Sequence, residues 1–161
     1  MEVIIRPNAE AAARLGAQII ARDLRANPHL VLGLATGRTM EPVYHELVRL
    51  RREEALDFSL CRTFNLDEYV GLPASDRHSC RHYMNRHLFE QVNIDLRNTH
   101  LPDGMAADLD AECLRYEEQI KKMGGIDVQL LGLGQAGNLG FNEPLSALGS
   151  RPRVKALSPL T

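Results

Sequence analysis

No excess of basic charge marks this chain of 161 residues: 19 lysines and arginines stand against 21 aspartates and glutamates, for a net charge of −2. That balance argues against nucleic acid and against an anionic membrane surface as partners. No apolar run approaches the ~18 residues of a membrane span. The N-terminus has no basic segment followed by a long apolar stretch, so no signal peptide is expected and a cytoplasmic location is. The three cysteines, Cys61, Cys80 and Cys113, share no metal-ligand spacing, and their odd number suits reduced thiols. Internal repeats, low-complexity tracts and linkers are lacking too. What is present, 44% hydrophobic and 25% charged residues, is the composition and length of one soluble domain able to bury a core.

The segments alternate between strand and helix. The run Val3-Ile4-Ile5 predicts a short strand, and a helix follows over residues 9–26 with Ala12, Leu15 and Ile19 on one side. Asn27-Pro28 ends it, because the residue before proline is pushed out of the helical region. A buried strand is expected over 30–35, a helix over 41–53 and a third strand over 62–66. Asp76 is placed to cap a helix reaching Glu90, and Asp108 to cap another reaching Met123. In the second, Leu109, Cys113, Tyr116, Ile120 and Met123 recur at steps of three and four, a single buried stripe. Gly124-Gly125 can take the positive φ of a helix stop. Strands are then expected over 126–133 and 153–157. This alternation predicts an α/β fold, a mostly parallel, Rossmann-like sheet with helices on both faces. With no closing helix after Leu157, residues 1–161 are expected to form one domain that is incomplete at its C-terminal side.

Ligands of open α/β sheets bind beyond the carboxyl ends of the strands. Three segments lie there. Thr36-Gly37-Arg38-Thr39 joins a strand to a helix, with hydroxyls, a glycine for close approach and a helix N-terminus that favours an anion such as phosphate; an ordinary turn with a threonine cap is the alternative. Asp67 and Glu68 follow a strand, and adjacent residues on an extended backbone point opposite ways, so one can face a pocket while the other is held by structure. A carboxylate there could take an acidic proton beside a carbonyl, unless both face solvent. The third segment is the loop after Leu133. Its Gly132-x-Gly134-x-x-Gly137 pattern fits a dinucleotide site poorly, since Asn142 and Pro144 stand where a long helix should run and no acidic residue follows at the required distance. His78 and His82 share a helix face but lack a third metal ligand, and solvated or packed histidines are the simpler reading.

Leu34-Ala35-Thr36-Gly37-Arg38-Thr39, Phe64-Asn65-Leu66-Asp67-Glu68-Tyr69-Val70-Gly71-Leu72, Ser79-Cys80-Arg81-His82-Tyr83-Met84 and the segment Gly132–Pro144 with its Phe141-Asn142-Glu143-Pro144 ending together resemble glucosamine-6-phosphate deaminase, of the glucosamine/galactosamine-6-phosphate isomerase family. The resemblance covers nearly the whole chain in order. Related 6-phosphogluconolactonases share the scaffold but carry a different carboxylate motif. The resemblance implies a cytoplasmic hydrolase and isomerase of amino-sugar catabolism, turning glucosamine 6-phosphate and water into fructose 6-phosphate and ammonia without a metal or organic cofactor. It makes Asp67 the base between C2 and C1 and Glu143 a carboxylate that works with a ring-opening histidine. It assigns Thr36, Gly37, Arg38 and Thr39 to the phosphate, and Ser146, Arg153 and Lys155 to an allosteric amino-sugar phosphate.

Two departures stand against full activity. Ala136 occupies the family's acidic or amide position, and Asn138 occupies that of the histidine. Asparagine hydrogen-bonds but does not shuttle a proton near neutral pH. Family members also run on well beyond this length, and the absent part would supply further strands and phosphate ligands. Self-association into a homo-oligomer, or docking of a C-terminal half, would cover the edge left exposed. The expectation is an isomerase/deaminase of impaired activity; a non-catalytic sugar-phosphate binder and a galactosamine-6-phosphate isomerase are the alternatives.

Overall fold

The computed structural model describes residues 2–134, 137–143, 146–147 and 149–157. Helix α1 spans Ala9–Ala26, with the Asn8 side chain accepting the Ala11 N–H at its start. Strand β1 (Val31–Leu34) leads to helix α2 (Glu41–Glu54), and strand β2 (Arg62–Asn65) to helix α3 (Cys80–His87). Two 3-10 turns, Phe89–Gln91 and Leu96–Asn98, precede strand β3 (Thr99–His100). Helix α4 (Leu109–Lys122) is capped by Asp108, and strand β4 (Val128–Gln129) follows.

The four strands are all parallel in the order β3-β2-β1-β4. Alternation along β1 sorts the two faces. Leu32 and Leu34 join a large core with Ile20 and Leu24 of α1, Tyr44 and Leu47 of α2 and Met84 of α3. Val31 points the other way, joining Phe64 and Tyr116 of α4, with Ile120 and Ile126 packed alongside. Helices therefore cover both faces, as a parallel sheet requires. The Tyr116 hydroxyl fastens α4 to the sheet, donating to the Asn65 carbonyl at 2.7 Å and the His100 carbonyl at 3.2 Å.

Several expectations are corrected. The buried side of α1 is Ala17, Ile20, Ala21 and Leu24, not Ala12, Leu15 and Ile19; packing on α2 selects among overlapping helical stripes. Val3, Ile4 and Ile5 are exposed and form no strand, since no described strand lies beside them. The strand expected over 126–133 is reduced to Val128–Gln129, and residues 153–157 form none. In α4 only Glu112 and Tyr116 are buried, while Met123 at its end is 38% exposed. Gly124 and Gly125 do adopt φ of +89° and +95° at the helix stop.

Asp76 does not cap a helix reaching Glu90. Its carboxylate accepts the His78 N–H at 2.8 Å and faces His78 Nδ1 at 3.0 Å, closing a turn. The α3 cap is Ser79, whose hydroxyl accepts the His82 N–H at 3.0 Å and donates to the Ala74 carbonyl.

Candidate functional site: a half-buried carboxylate beyond β2

Asp67 and Glu68 follow β2 beyond its carboxyl end, and the structure separates their roles. Glu68 is consumed by structure. Its Oε1 accepts the N–H of Tyr69 and of Cys80, each at 2.8 Å, and its Oε2 accepts that of Arg81 at 2.9 Å. A carboxylate on two free N–H groups of the first turn pins the N-terminus of α3.

Asp67 takes the opposite direction. Its Oδ2 accepts the Phe141 N–H at 3.1 Å, and Cys80 Sγ lies 4.0 Å from its Oδ1. Burial away from water raises the carboxyl from 3.8 to about 6; the Phe141 N–H opposes the shift and the neighbouring charge of Glu68 adds to it. A carboxyl titrating near 6 is suited to general-base work close to neutrality. The loop reaches it because residue 140 is glycine. Gly140 has φ +56°, and a Cβ there would stand 2.7 Å from Asp67 Oδ2.

Residues 137–143 fold back on themselves beside this carboxyl. Gly134 N–H donates to the Asn138 carbonyl at 2.9 Å, and the Asn138 Nδ2 donates to the Gly140 carbonyl at 3.0 Å. Asn138 thus braces the loop. Glu143 is half-buried and its carbonyl accepts the Ser146 N–H at 3.0 Å. Ala136 lies outside the described residues. Phe141 packs on Tyr69, ring centroids 4.8 Å apart.

A cavity of about 430 Å³ opens on the α4 side, its walls including Asp67, Tyr69, Tyr116, Phe141, Asn142 and Arg153. Its volume is that of a small-molecule site. Arg153 donates to Asn142 Oδ1 at 3.1 Å and Ser150 Oγ at 2.8 Å, and Lys155 also lines the cavity. Ser146 lines no part of it; its Oγ is buried without a hydrogen-bond partner among the described residues. Arg153 and Lys155 are therefore brought to the same concavity as Asp67, and Ser146 is not.

Thr36, Gly37, Arg38 and Thr39 are not among the cavity walls. They form the turn from β1 into α2, with Gly37 at φ +119° and open space where its Cβ would be. The Gly37 carbonyl accepts the Tyr83 hydroxyl at 2.8 Å and the Met40 N–H at 2.9 Å. The residue at the cap of α2 is Met40, with no side-chain hydrogen bond, so the threonine-cap alternative does not hold. This loop approaches the carboxylate through one contact, Thr36 Oγ1 to Cys80 Sγ at 3.6 Å. Sequence reasoning missed Cys80, Gly140 and the Phe141 N–H; only Gly140, one residue before Phe141-Asn142-Glu143-Pro144, carried a local signal.

His78 faces Asp76, its Nδ1 3.0 Å from Oδ1. Among the described residues no group of three or more histidine, cysteine, aspartate or glutamate side chains could hold a metal ion. No helix among them is long and apolar enough to cross a membrane.

A parallel sheet with helices on both faces and a desolvated carboxylate beyond a central strand define a small-molecule site of the open α/β class. The chain belongs to the glucosamine-6-phosphate isomerase/6-phosphogluconolactonase family, whose model matches residues 7–138. It is 52% identical over 153 residues to glucosamine-6-phosphate deaminase 1 of Giardia intestinalis, covering 95% of this chain and 57% of that protein. The deaminase of Cellvibrio japonicus is 48% identical over all 161 residues, which span 61% of its length. The chain thus spans about three fifths of these relatives.

A solved monomeric glucosamine-6-phosphate deaminase superposes with a TM-score of 0.97 at 41% identity, covering 99% of this chain and 66% of that one. The 6-phosphogluconolactonase of Thermotoga maritima, at 21% identity and a TM-score of 0.69 over 88% of this chain and 63% of its own, shares the fold alone. The expectation of a hydrolase is overturned: the similar relatives are deaminases, and their branch of the family is named for isomerisation.

Proposed function

We propose that this chain carries the base of an aldose–ketose isomerase that deaminates glucosamine 6-phosphate, giving fructose 6-phosphate and ammonia from the sugar and water. The observation that carries the reading is the desolvated Asp67 carboxyl, held near 6 beside a glycine-opened loop. On the opened sugar Asp67 would remove the proton from C2 and return it to C1. That leaves a C2 imine, to which water adds as ammonia departs. Thr36, Gly37, Arg38 and Thr39, at the N-terminus of α2, would receive the phosphate. Glu143 would serve ring opening as the carboxylate that works with the family's histidine, whose position Asn138 holds here.

The second reading, a sugar-phosphate binder without turnover, is favoured by Asn138, whose amide is bonded to the Gly140 carbonyl and cannot relay a proton. Loss of such a group lowers rates by ~10²–10⁴-fold. Ser146, Arg153 and Lys155 are retained as the candidate sites of an allosteric sugar phosphate, with Arg153 tied to the loop through Asn142. Residues 1–161 are read as part of a single isomerase-like domain. A cytoplasmic location, a small amino-sugar phosphate as partner and neither nucleic acid nor membrane complete the proposal. A homo-oligomer would shield the exposed Leu131 and Leu133, although one solved relative is monomeric.

Proton NMR of glucosamine 6-phosphate in D₂O with the purified chain tests this reading. Exchange at C2 that disappears in Asp67→Asn supports it, with a gain expected in the double variant Ala136→Asp, Asn138→His. A folded chain that exchanges nothing, before and after the loop is rebuilt, leaves the binder.

A further inference from the structure

Cys80 begins α3, its N–H held by Glu68, and its side chain faces two groups of the site at once. Sulfur lies 3.6 Å from Thr36 Oγ1 and 4.0 Å from Asp67 Oδ1, in a residue only 3% exposed. One proton ordering serves both contacts: the Thr36 hydroxyl donates to sulfur and the thiol donates to the carboxylate. The Phe141 N–H takes the other oxygen, so Asp67 is contacted by the loop on one oxygen and by Cys80 on the other.

We propose that Cys80 is a positioning residue of this site, its thiol bridging the Thr36 loop to Asp67 and setting how firmly that carboxyl holds its proton. The proposal rests on the reading of Asp67 as the base. A thiol is a weak donor and a poor substitute for water. It shields Oδ1 from water, which favours the protonated acid, while its weak donation to the carboxylate offsets only part of that. Burial also pushes Cys80 itself upward, so it stays a neutral thiol beside the carboxyl. The other titratable groups facing Asp67 are Glu68 next to it, Tyr69 on the following loop, Tyr44 of α2 and Tyr116 of α4. The three tyrosines are shifted upward and remain neutral through the range in which Asp67 titrates, leaving Glu68 as the charged neighbour.

The test compares Cys80→Ser with Cys80→Val in the full chain, reading the Asp67 side-chain carboxyl by carbon NMR across pH. Serine brings a stronger donor and room for water, and the midpoint is expected to fall by roughly one pH unit. Valine keeps the bulk without any donor, and a rise of roughly half a unit is expected. A purely packing role moves both variants the same way. Shifts of opposite sign support the proposal; no shift, or shifts of one sign, overturn it. Should valine prevent folding, as judged by circular dichroism, Cys80→Ala takes its place, giving the same room without a donor: a serine midpoint below that of alanine supports the proposal, and an equal or higher one overturns it. Neither readout needs turnover, so these shifts persist even where the exchange experiment shows that Asp67 is not a base.

Discussion

Replacing Asp67 with asparagine should make the protein more stable at neutral pH, and should do so only above the pH at which the carboxyl ionises in the unfolded chain. A carboxyl moved from 3.8 to about 6 on folding holds its proton more firmly in the native state. Below about pH 4 it is protonated whether folded or unfolded, and it contributes no pH-dependent penalty. As pH rises through the window from 3.8 to about 6, the unfolded chain ionises first and stability falls. Above that window the full penalty, roughly 3 kcal/mol from the displacement alone, opposes folding. Asp67 is half-buried rather than sealed, which brings the expected effect to about 2 kcal/mol. Asparagine keeps the shape and can still accept the Phe141 N–H, without a charge to desolvate. Urea unfolding of both proteins at pH 4, 5, 6 and 8 should show the variant's advantage growing from near zero to about 2 kcal/mol. An Asp67→Asn protein that is equally or less stable at pH 8, with no change across the series, would refute the view of Asp67 as a desolvated charge.

Gly140→Ala should destabilise by about 1–3 kcal/mol, because φ is +56° and the new Cβ would meet Asp67 Oδ2 at 2.7 Å; thermal unfolding checks this, and Gly149→Ala, where nothing lies within 4 Å, serves as the comparison. Glu68→Ala should cost about 1–2 kcal/mol and speed hydrogen exchange at the Cys80 and Arg81 amides, whose acceptor it removes. Asp108→Ala should cost about 1 kcal/mol through loss of the bond from the Ala111 N–H, and the fraying should appear as faster exchange in the first turn of α4.

Elements whose ends are written in neighbouring residues were legible before the structure. Asn27-Pro28 ends α1, and Asp108 and Gly124-Gly125 bracket α4, each through bonds within a few residues. The division of labour between Asp67 and Glu68 was legible too, as adjacent residues on the extended backbone beyond β2 point opposite ways. What failed depends on distant partners. Asp76 and Ser79 are both good caps, and the choice between them follows from Glu68, which arrives from eleven residues before Ser79 to hold Cys80 and Arg81. β3 has two residues and no apolar run, and exists because Thr99 and His100 meet Thr63 and Phe64. The Val3-Ile4-Ile5 run reads as a strand, but a strand is a pairing and no described segment pairs with it. Cys80 carried no mark of its contact with Asp67, which depends on where α3 docks.

The central claim is that Asp67 stands desolvated and poised as a base, and the direct test is its own titration. Carbon NMR of the side-chain carboxyl in the folded chain should give a midpoint of about 6. A midpoint near the ordinary 3.8 would mean that water reaches the carboxylate, and the account of the site would fail with it.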